Sequence, residues 1–355
     1  MSKKIIVTGS QGYIGTLLVQ LLCDVGYNVI GIDSGLYRGQ DCGACSDAAN
    51  SLTIDIRDLE PQHLEGAFAV CHLAALSNDP LGNIDPALTM DINCQGSLHV
   101  ARIAKAAGVQ RFLFSSSCST YGAAGDEYLD EYATLNPITA YGVSKVNSEK
   151  GIRELADESF CPVYLRNATA YGFSPRLRLD LVVNDFVSAA FLNKRIFIKS
   201  DGTPWRPLVH VRDICAAFQA MLEADRSLIF NRAFNIGSTA ENYRVSELAE
   251  IVRHAVPDCE VIYDPAGGPD KRCYRVCCDL VRDVVPNFQP QWTVAQGVAE
   301  LLEGFMVSGL SSSDLELQRF HRLPVLRQRL QSGVFDSQLR PTVTHFQTSS
   351  SGWQT

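Results

Sequence analysis

The chain has 355 residues, 46% of them hydrophobic and 20% charged, an ordinary globular composition that excludes a largely disordered protein and suits about two domains. Its formal net charge of −8 lacks the electrostatic footprint of a general nucleic-acid binder, so an anionic ligand has to be held by local groups. The apolar run behind Lys3 and Lys4 is too short for a signal peptide or membrane span, and twelve cysteines spread through a chain of this kind predict reduced thiols in the cytoplasm. Neither Cys42-Gly-Ala-Cys45 nor the group Cys273, Cys277 and Cys278 completes a four-ligand metal site, and no metal is expected.

Taken in order, Lys4–Val7 reads as a first strand, followed by Thr8-Gly9-Ser10-Gln11-Gly12-Tyr13-Ile14-Gly15 and a helix over Ile14–Cys23. Glycines at this junction allow a tight turn and bring backbone N–H groups close to a pyrophosphate at the positive end of the helix. Asn28–Ile32 is the second strand. Asp33 closes it, where a carboxylate can accept both ribose hydroxyls of NAD and would repel the 2′-phosphate of NADP. Ala69–Leu73, Arg111–Ser115 and Val163–Arg166 read as further buried strands, and Ala87–Ala107 and Tyr141–Ala156 as helices, Gly108 stopping the first of these. Such alternation predicts βαβ units and an α/β fold of the Rossmann type, a doubly wound parallel sheet.

After Gly172 the texture changes, with a helical stretch near Val182–Leu192 and a Gly/Pro turn at 201–204. The expected division is a NAD-binding Rossmann domain over 1–172 to which 206–236 returns. A smaller interleaved α/β lobe takes 173–205 and 237–310. The remainder, 311–355, is a C-terminal extension, partly flexible, with a polar tail.

Tyr141-Gly-Val-Ser-Lys145 is the catalytic candidate, because a four-residue spacing puts both side chains on one helix face and lets a lysine cation stabilise a tyrosinate. It follows Phe114-Ser115-Ser116-Ser117-Cys118-Ser119-Thr120-Tyr121-Gly122 by about one βα step.

The TGxxGxxG spacing, Tyr141/Lys145 and this serine run resemble the extended short-chain dehydrogenase/reductases, the NAD-dependent nucleotide-sugar epimerases and dehydratases, from residue 4 to about 300. The resemblance implies that Asp55 and Ile56 contact the adenine, that Leu73, Ala74 and Ala75 line the cofactor, and that Asn93 is the family's helix asparagine. It makes Ser117 the hydroxyl that holds the reacting sugar alcohol. It also puts Asn167 beside the cofactor and Thr169 beside the substrate. In Thr203-Pro-Trp-Arg206-Pro-Leu-Val-His210-Val-Arg-Asp213 it makes Arg206 the grip on the substrate diphosphate and His210 structural. Arg272 with Arg275 resembles a second phosphate-binding patch, although Cys277 and Leu280 stand where the family often has aspartate and lysine. Arg176 and Arg178 are candidates for reading sugar or diphosphate, with surface charge the alternative.

Dehydratases of this kind usually carry Asp-Glu directly after the position of Ser117; this chain has Cys118-Ser119, which lowers that reading. Cys118 is either an acid/base against the substrate or, more plainly, a small packing residue. The implied activity is NAD-dependent epimerisation of a nucleotide-diphosphate sugar through a 4-keto intermediate. A 4-ketoreductase, a ring epimerase using Cys118 and a non-catalytic NAD-binding regulator are the alternatives. The resemblance further implies a homodimer paired through Ala87–Ala107 and Tyr141–Ala156, with neither nucleic-acid nor membrane partners.

Overall fold

A computed structural model describes residues 2–43, 50–77, 85–123, 125–268 and 273–342. In chain order the strands are β1 (Lys4–Thr8), β2 (Asn28–Asp33), β3 (Asn50–Thr53), β4 (Ala69–His72), β5 (Arg111–Ser117), β6 (Tyr128–Leu129) and β7 (Cys161–Asn167). Then come β8 (Thr169–Tyr171), β9 (Arg195–Ile198), β10 (Trp205–His210), β11 (Ala233–Ile236), β12 (Asn242–Arg244), β13 (Glu260–Tyr263) and β14 (Arg275–Val276). Seven of them form one sheet in the order β11-β7-β5-β4-β1-β2-β3, and each pairing in it is parallel.

This is the Rossmann arrangement: helices cover each side, so the inner strands such as β4 and β7 are buried on both faces, while the edge strand β3 is exposed. Along β1 the alternation is explicit. Ile5 and Val7 pack with Leu18, Leu22 and Phe218 on one face, and Ile6 packs with Val70, Val100 and Ile152 on the other. The strand order reverses between β1 and β4, so a crevice opens at the carboxyl ends of these two strands.

The helix expected over Ala87–Ala107 is interrupted: Pro86–Thr89 is α-helical, Met90–Gln95 is a π-turn, and Gly96–Ala106 resumes the α-helix. The wider turn coincides with a hydroxyl bonding into the ladder, since Ser97 Oγ donates to the Asn93 carbonyl oxygen at 2.5 Å.

Leaving β7, the chain enters a second body of structure. β8, β10 and β12 form a three-stranded sheet, and the helices Val182–Asn193, Val245–Ala255 and Val294–Ser308 share a separate core around Val183, Leu248, Val252, Leu301 and Phe305. The return to the main sheet is made by the helix Val211–Glu223 and by β11, while Trp205–His210 itself stays in the smaller sheet. Residues 311–342 are folded back as two helices, Ser312–Glu316 and Arg322–Gln331, with a fourth apolar cluster of Leu36, Leu76 and Leu88 against Leu326, Phe335 and Leu339. No helix of the described residues is long and apolar enough to cross a membrane.

Candidate active site

A cleft of about 840 Å³ runs along the carboxyl ends of the main strands and into the second body. At one end the glycine turn is closed too tightly for side chains. A Cβ on Gly9, whose φ is +71°, would stand 2.8 Å from the Ala74 nitrogen, and one on Gly15 would stand 2.0 Å from the Gly9 carbonyl oxygen. Gly9, Gly12, Tyr13, Ile14 and Gly15 line the cleft with Leu73, Ala74 and Ala75. Tyr13 is buried, its hydroxyl donating to the Gly172 carbonyl oxygen at 2.7 Å, so the turn is fastened to the second body.

Asp33 lines the same end and is oriented by two backbone donors, Gln11 N–H to Oδ2 at 3.0 Å and Gly35 N–H to Oδ1 at 2.8 Å. Burial pushes its pKa upward against the pull of those bonds and of Arg176 and Arg322. Asp55 and Ile56 also line the cleft, and Arg57 holds the Asp55 carboxylate at 2.7 Å.

Deeper in, β5 and β7 are paired with Ser117 opposite Asn167, which brings the serine run to the middle of the cleft. The helix Ala140–Arg153 begins at Thr139, whose side chain accepts from Gly142 N–H at 3.1 Å, and its first turns put Tyr141 and Lys145 into the cleft lining. Lys145 is 3% exposed, donates to the Ser115 carbonyl oxygen at 2.7 Å and has Nζ 5.7 Å from the Tyr141 ring centroid. Burial lowers its pKa to about 7, with Glu149 opposing that shift. Asn167 donates to Ser115 Oγ at 3.0 Å, while its buried Oδ1 has no partner among the described residues. A phenol, a lysine and a serine hydroxyl sharing one cleft with a dinucleotide cradle can move a proton beside a hydride acceptor.

Behind Lys145 lies a buried ion pair, Arg166 Nη2 to Glu149 Oε2 at 2.7 Å, extended by Ser116 Oγ donating to Glu149 and by Arg166 donating to Tyr121 Oη. Thr8, His72 and Ser97 form a second buried chain at 2.7 and 2.9 Å. Ser97 spends its proton on Asn93, so His72 Nε2 donates to Ser97 and Nδ1 accepts from Thr8. Burial holds the His72 pKa down at about 3.

The sequence signature of the NAD dependent epimerase/dehydratase family matches residues 5–237. The chain belongs to this family. It is an enzyme family of NAD-dependent nucleotide-sugar epimerases and dehydratases, and NAD is its cofactor. A UDP-glucose 4-epimerase of Mus musculus is 30% identical over 286 residues, 71% of this chain and 82% of that protein. UDP-glucuronic acid decarboxylase 1 of Arabidopsis thaliana is 26% identical over 313 residues, 85% of this chain and 69% of that one. Among solved structures, UDP-glucose 4-epimerase of Thermotoga maritima with UDP-glucose has a TM-score of 0.74 at 26% identity, covering 86% of this chain and 99% of that one.

Within this epimerase/dehydratase chain, four of the candidate residues are engaged by the protein itself. Gln11 does not line the cleft, and its amide N–H is spent on Asp33. Asn93 is fully buried, with Oδ1 accepting from Leu76 N–H at 2.8 Å and Nδ2 donating to the Leu76 carbonyl oxygen and to Ser144, so it fixes a cleft-lining loop. Cys118 is 1% exposed and faces away from the cleft, its Sγ 3.1 Å from the Arg166 carbonyl oxygen, and burial pushes its thiol pKa well up. Arg176 is buried against the loop after β2, bonded to the Tyr37 carbonyl oxygen and 3.0 Å from Asp41.

At the far end Thr169 and Arg206 line the cleft, and Arg206 bonds the Trp205 carbonyl oxygen at 2.8 Å; Arg178 lines it nearer the dinucleotide end, bonded to Ser77 and paired with Asp180 at 2.9 Å. Arg272 lies outside the described residues. His210 is packing: it is stacked on Trp292 at 4.0 Å and bonded to Glu300 at 2.8 Å. Sequence reasoning missed Ser119, Asp185 and Lys199, and it missed His321, Arg322 and Leu339 of the extension, all of which line the cleft. The box Ser311-x-x-Asp314 and the spacing Leu323, Leu326, Leu330 were the available signals for an ordered helical extension.

Proposed function

We propose that this protein epimerises a nucleotide-diphosphate sugar at C4 through a transient 4-keto sugar, with NAD regenerated in each turnover. One observation carries the reading. Tyr141, Lys145 and Ser117 line the cleft together, whereas the two positions after Ser117 supply no carboxylate for eliminating water: Cys118 is turned into the core and Ser119 offers only a hydroxyl. The 4-epimerases among the relatives support it.

The residues fit the cofactor. The glycine turn closes against Ala74 and on itself only because Gly9 and Gly15 carry no Cβ, Asp33 is pre-oriented for ribose hydroxyls, and Asn167 Oδ1, orphaned among the described residues, calls for a ligand donor. Bound there, NAD supplies a reversible hydride acceptor at the sugar carbon. Tyr141, as the phenolate, takes the proton of the C4 hydroxyl and later returns it. Lys145, fixed by the Ser115 carbonyl oxygen, lowers the cost of that phenolate by its charge. Ser117 holds the alcohol oxygen in line with the phenol. Arg206 holds the diphosphate, and 173–205 with 237–310 form the substrate lobe around it.

The test is turnover of a panel of nucleotide sugars followed by NMR, starting with UDP-glucose and UDP-galactose. The expected outcome is interconversion of C4 epimers at constant NAD. Stoichiometric consumption of NADH would make the protein a ketoreductase and overturn the assignment.

A further inference from the structure

The family signature ends at residue 237, yet the cleft is closed by a segment far beyond it. Residues 310–342 cross the mouth of the dinucleotide end and are tied to both sides. On the second body Leu179 N–H donates to the Phe320 carbonyl oxygen at 3.0 Å. On the main sheet's side Arg57 donates to the Gln338 carbonyl oxygen at 2.9 Å, Arg340 pairs with Asp58, and Arg319 reaches the Asp41 carbonyl oxygen at 3.1 Å. Leu339, 3% exposed, joins Leu36 and Leu76 in the small apolar cluster and lines the cleft that Asp55 and Ile56 also line.

Arg322 is the second, independent observation. It lines the cleft, is 4% exposed and makes no ion pair among the described residues. Its guanidinium lies over the Tyr37 ring at 4.1 Å and donates to the Arg176 carbonyl oxygen at 3.4 Å. Around it stand Arg176 and Arg178, both already paired with carboxylates, and Asp33 and Asp180 act on it only at longer range. Burial lowers its pKa to about 10, as expected for a cation removed from water without a counter-charge. Such a group favours an anion in the cleft, and the dinucleotide end is where a pyrophosphate belongs.

We propose that the C-terminal extension is part of the cofactor site: Arg322 neutralises the cofactor's phosphate charge and Leu339 covers its adenine, so that the bound dinucleotide is retained between turnovers. The proposal rests on NAD occupying the cleft and is independent of which sugar reaction follows.

The experiment uses the full chain loaded with NAD and measures NAD release against excess ADP-ribose, with calorimetric affinities for NAD, ADP-ribose and UDP-glucose, in R322Q, R322K and L339A. NAD release from R322Q is expected to quicken about 10- to 100-fold, the range for one hydrogen bond to a charged group. ADP-ribose affinity should fall in step, UDP-glucose affinity should stay at the parent value, and R322K should recover part of the loss. L339A should also release NAD faster, and it carries the test if R322Q fails to fold. Parent-like NAD release in both R322Q and L339A overturns the proposal. So does a loss confined to UDP-glucose, which would give Arg322 to the substrate diphosphate, and so does tighter NAD binding, which would make the extension an obstruction.

Discussion

Glu149 lies one helical turn beyond Lys145 on the same face of the helix Ala140–Arg153, and its carboxylate is locked to Arg166 of β7 at 2.7 Å with both side chains at most 5% exposed. The pair thus fixes the helix that carries Tyr141 and Lys145 against the strand that ends in Asn167. Removing one partner leaves the other charge buried, which costs about 3–5 kcal/mol. Glu149→Ala should therefore lower the melting temperature strongly, and Glu149→Gln, which keeps an acceptor, less. Thermal unfolding of the two variants side by side checks the order.

Tyr141→Phe removes one oxygen from a cleft residue and should leave NAD and nucleotide-sugar affinities nearly intact. Loss of the proton-transfer group predicts a fall in turnover of about 10²–10⁴. A variant that reduces its bound NAD in a single turnover at the parent rate would remove Tyr141 from the mechanism.

Asp33 should make the protein prefer NAD over NADP, because its carboxylate is held in place by Gln11 and Gly35 and cannot swing away from a 2′-phosphate. Calorimetry with both dinucleotides should show a clear gap for the parent and a narrower one for Asp33→Asn. Equal affinities in the parent contradict the role.

His72 links stability to acid. Its folded pKa of about 3 lies below the ordinary value of 6.5, so only the unfolded chain takes up its proton between these values. The contribution is complete above pH 6.5 and is lost as pH falls toward 3, with a slope of at most about 1.4 kcal/mol per pH unit. Denaturant titrations of parent and His72→Phe from pH 7 to pH 4 should converge as the medium is acidified. A constant gap across that range excludes the effect.

Arg206→Ala should weaken UDP-glucose binding by about 1.5–3 kcal/mol, the range for a hydrogen bond to a charged group, and leave NAD affinity unchanged. Parallel loss of both ligands would mean that Arg206 supports the fold.

The local pattern of the chain determined the Rossmann sheet, since buried β-rich runs, amphipathic helices and a glycine turn are short-range properties. Lys4–Val7, Asn28–Ile32 and Tyr141–Ala156 lie within a few residues of the elements that form. Spacing likewise brought Tyr141 and Lys145 to one helix face, because i and i+4 neighbours are fixed by helix geometry alone. What a side chain touches across the fold is not a local property. Whether Cys118 faces the cleft or the core depends on how β5 leads into the turn over Cys118–Tyr121, and whether Asn93 meets ligand or the Leu76 backbone depends on a π-turn. The extension is the clearest case: a serine-rich start looks solvated in sequence. Only the packing of Leu326, Phe335 and Leu339 on Leu36, Leu76 and Leu88, residues more than two hundred positions away, brings Arg322 into the cleft.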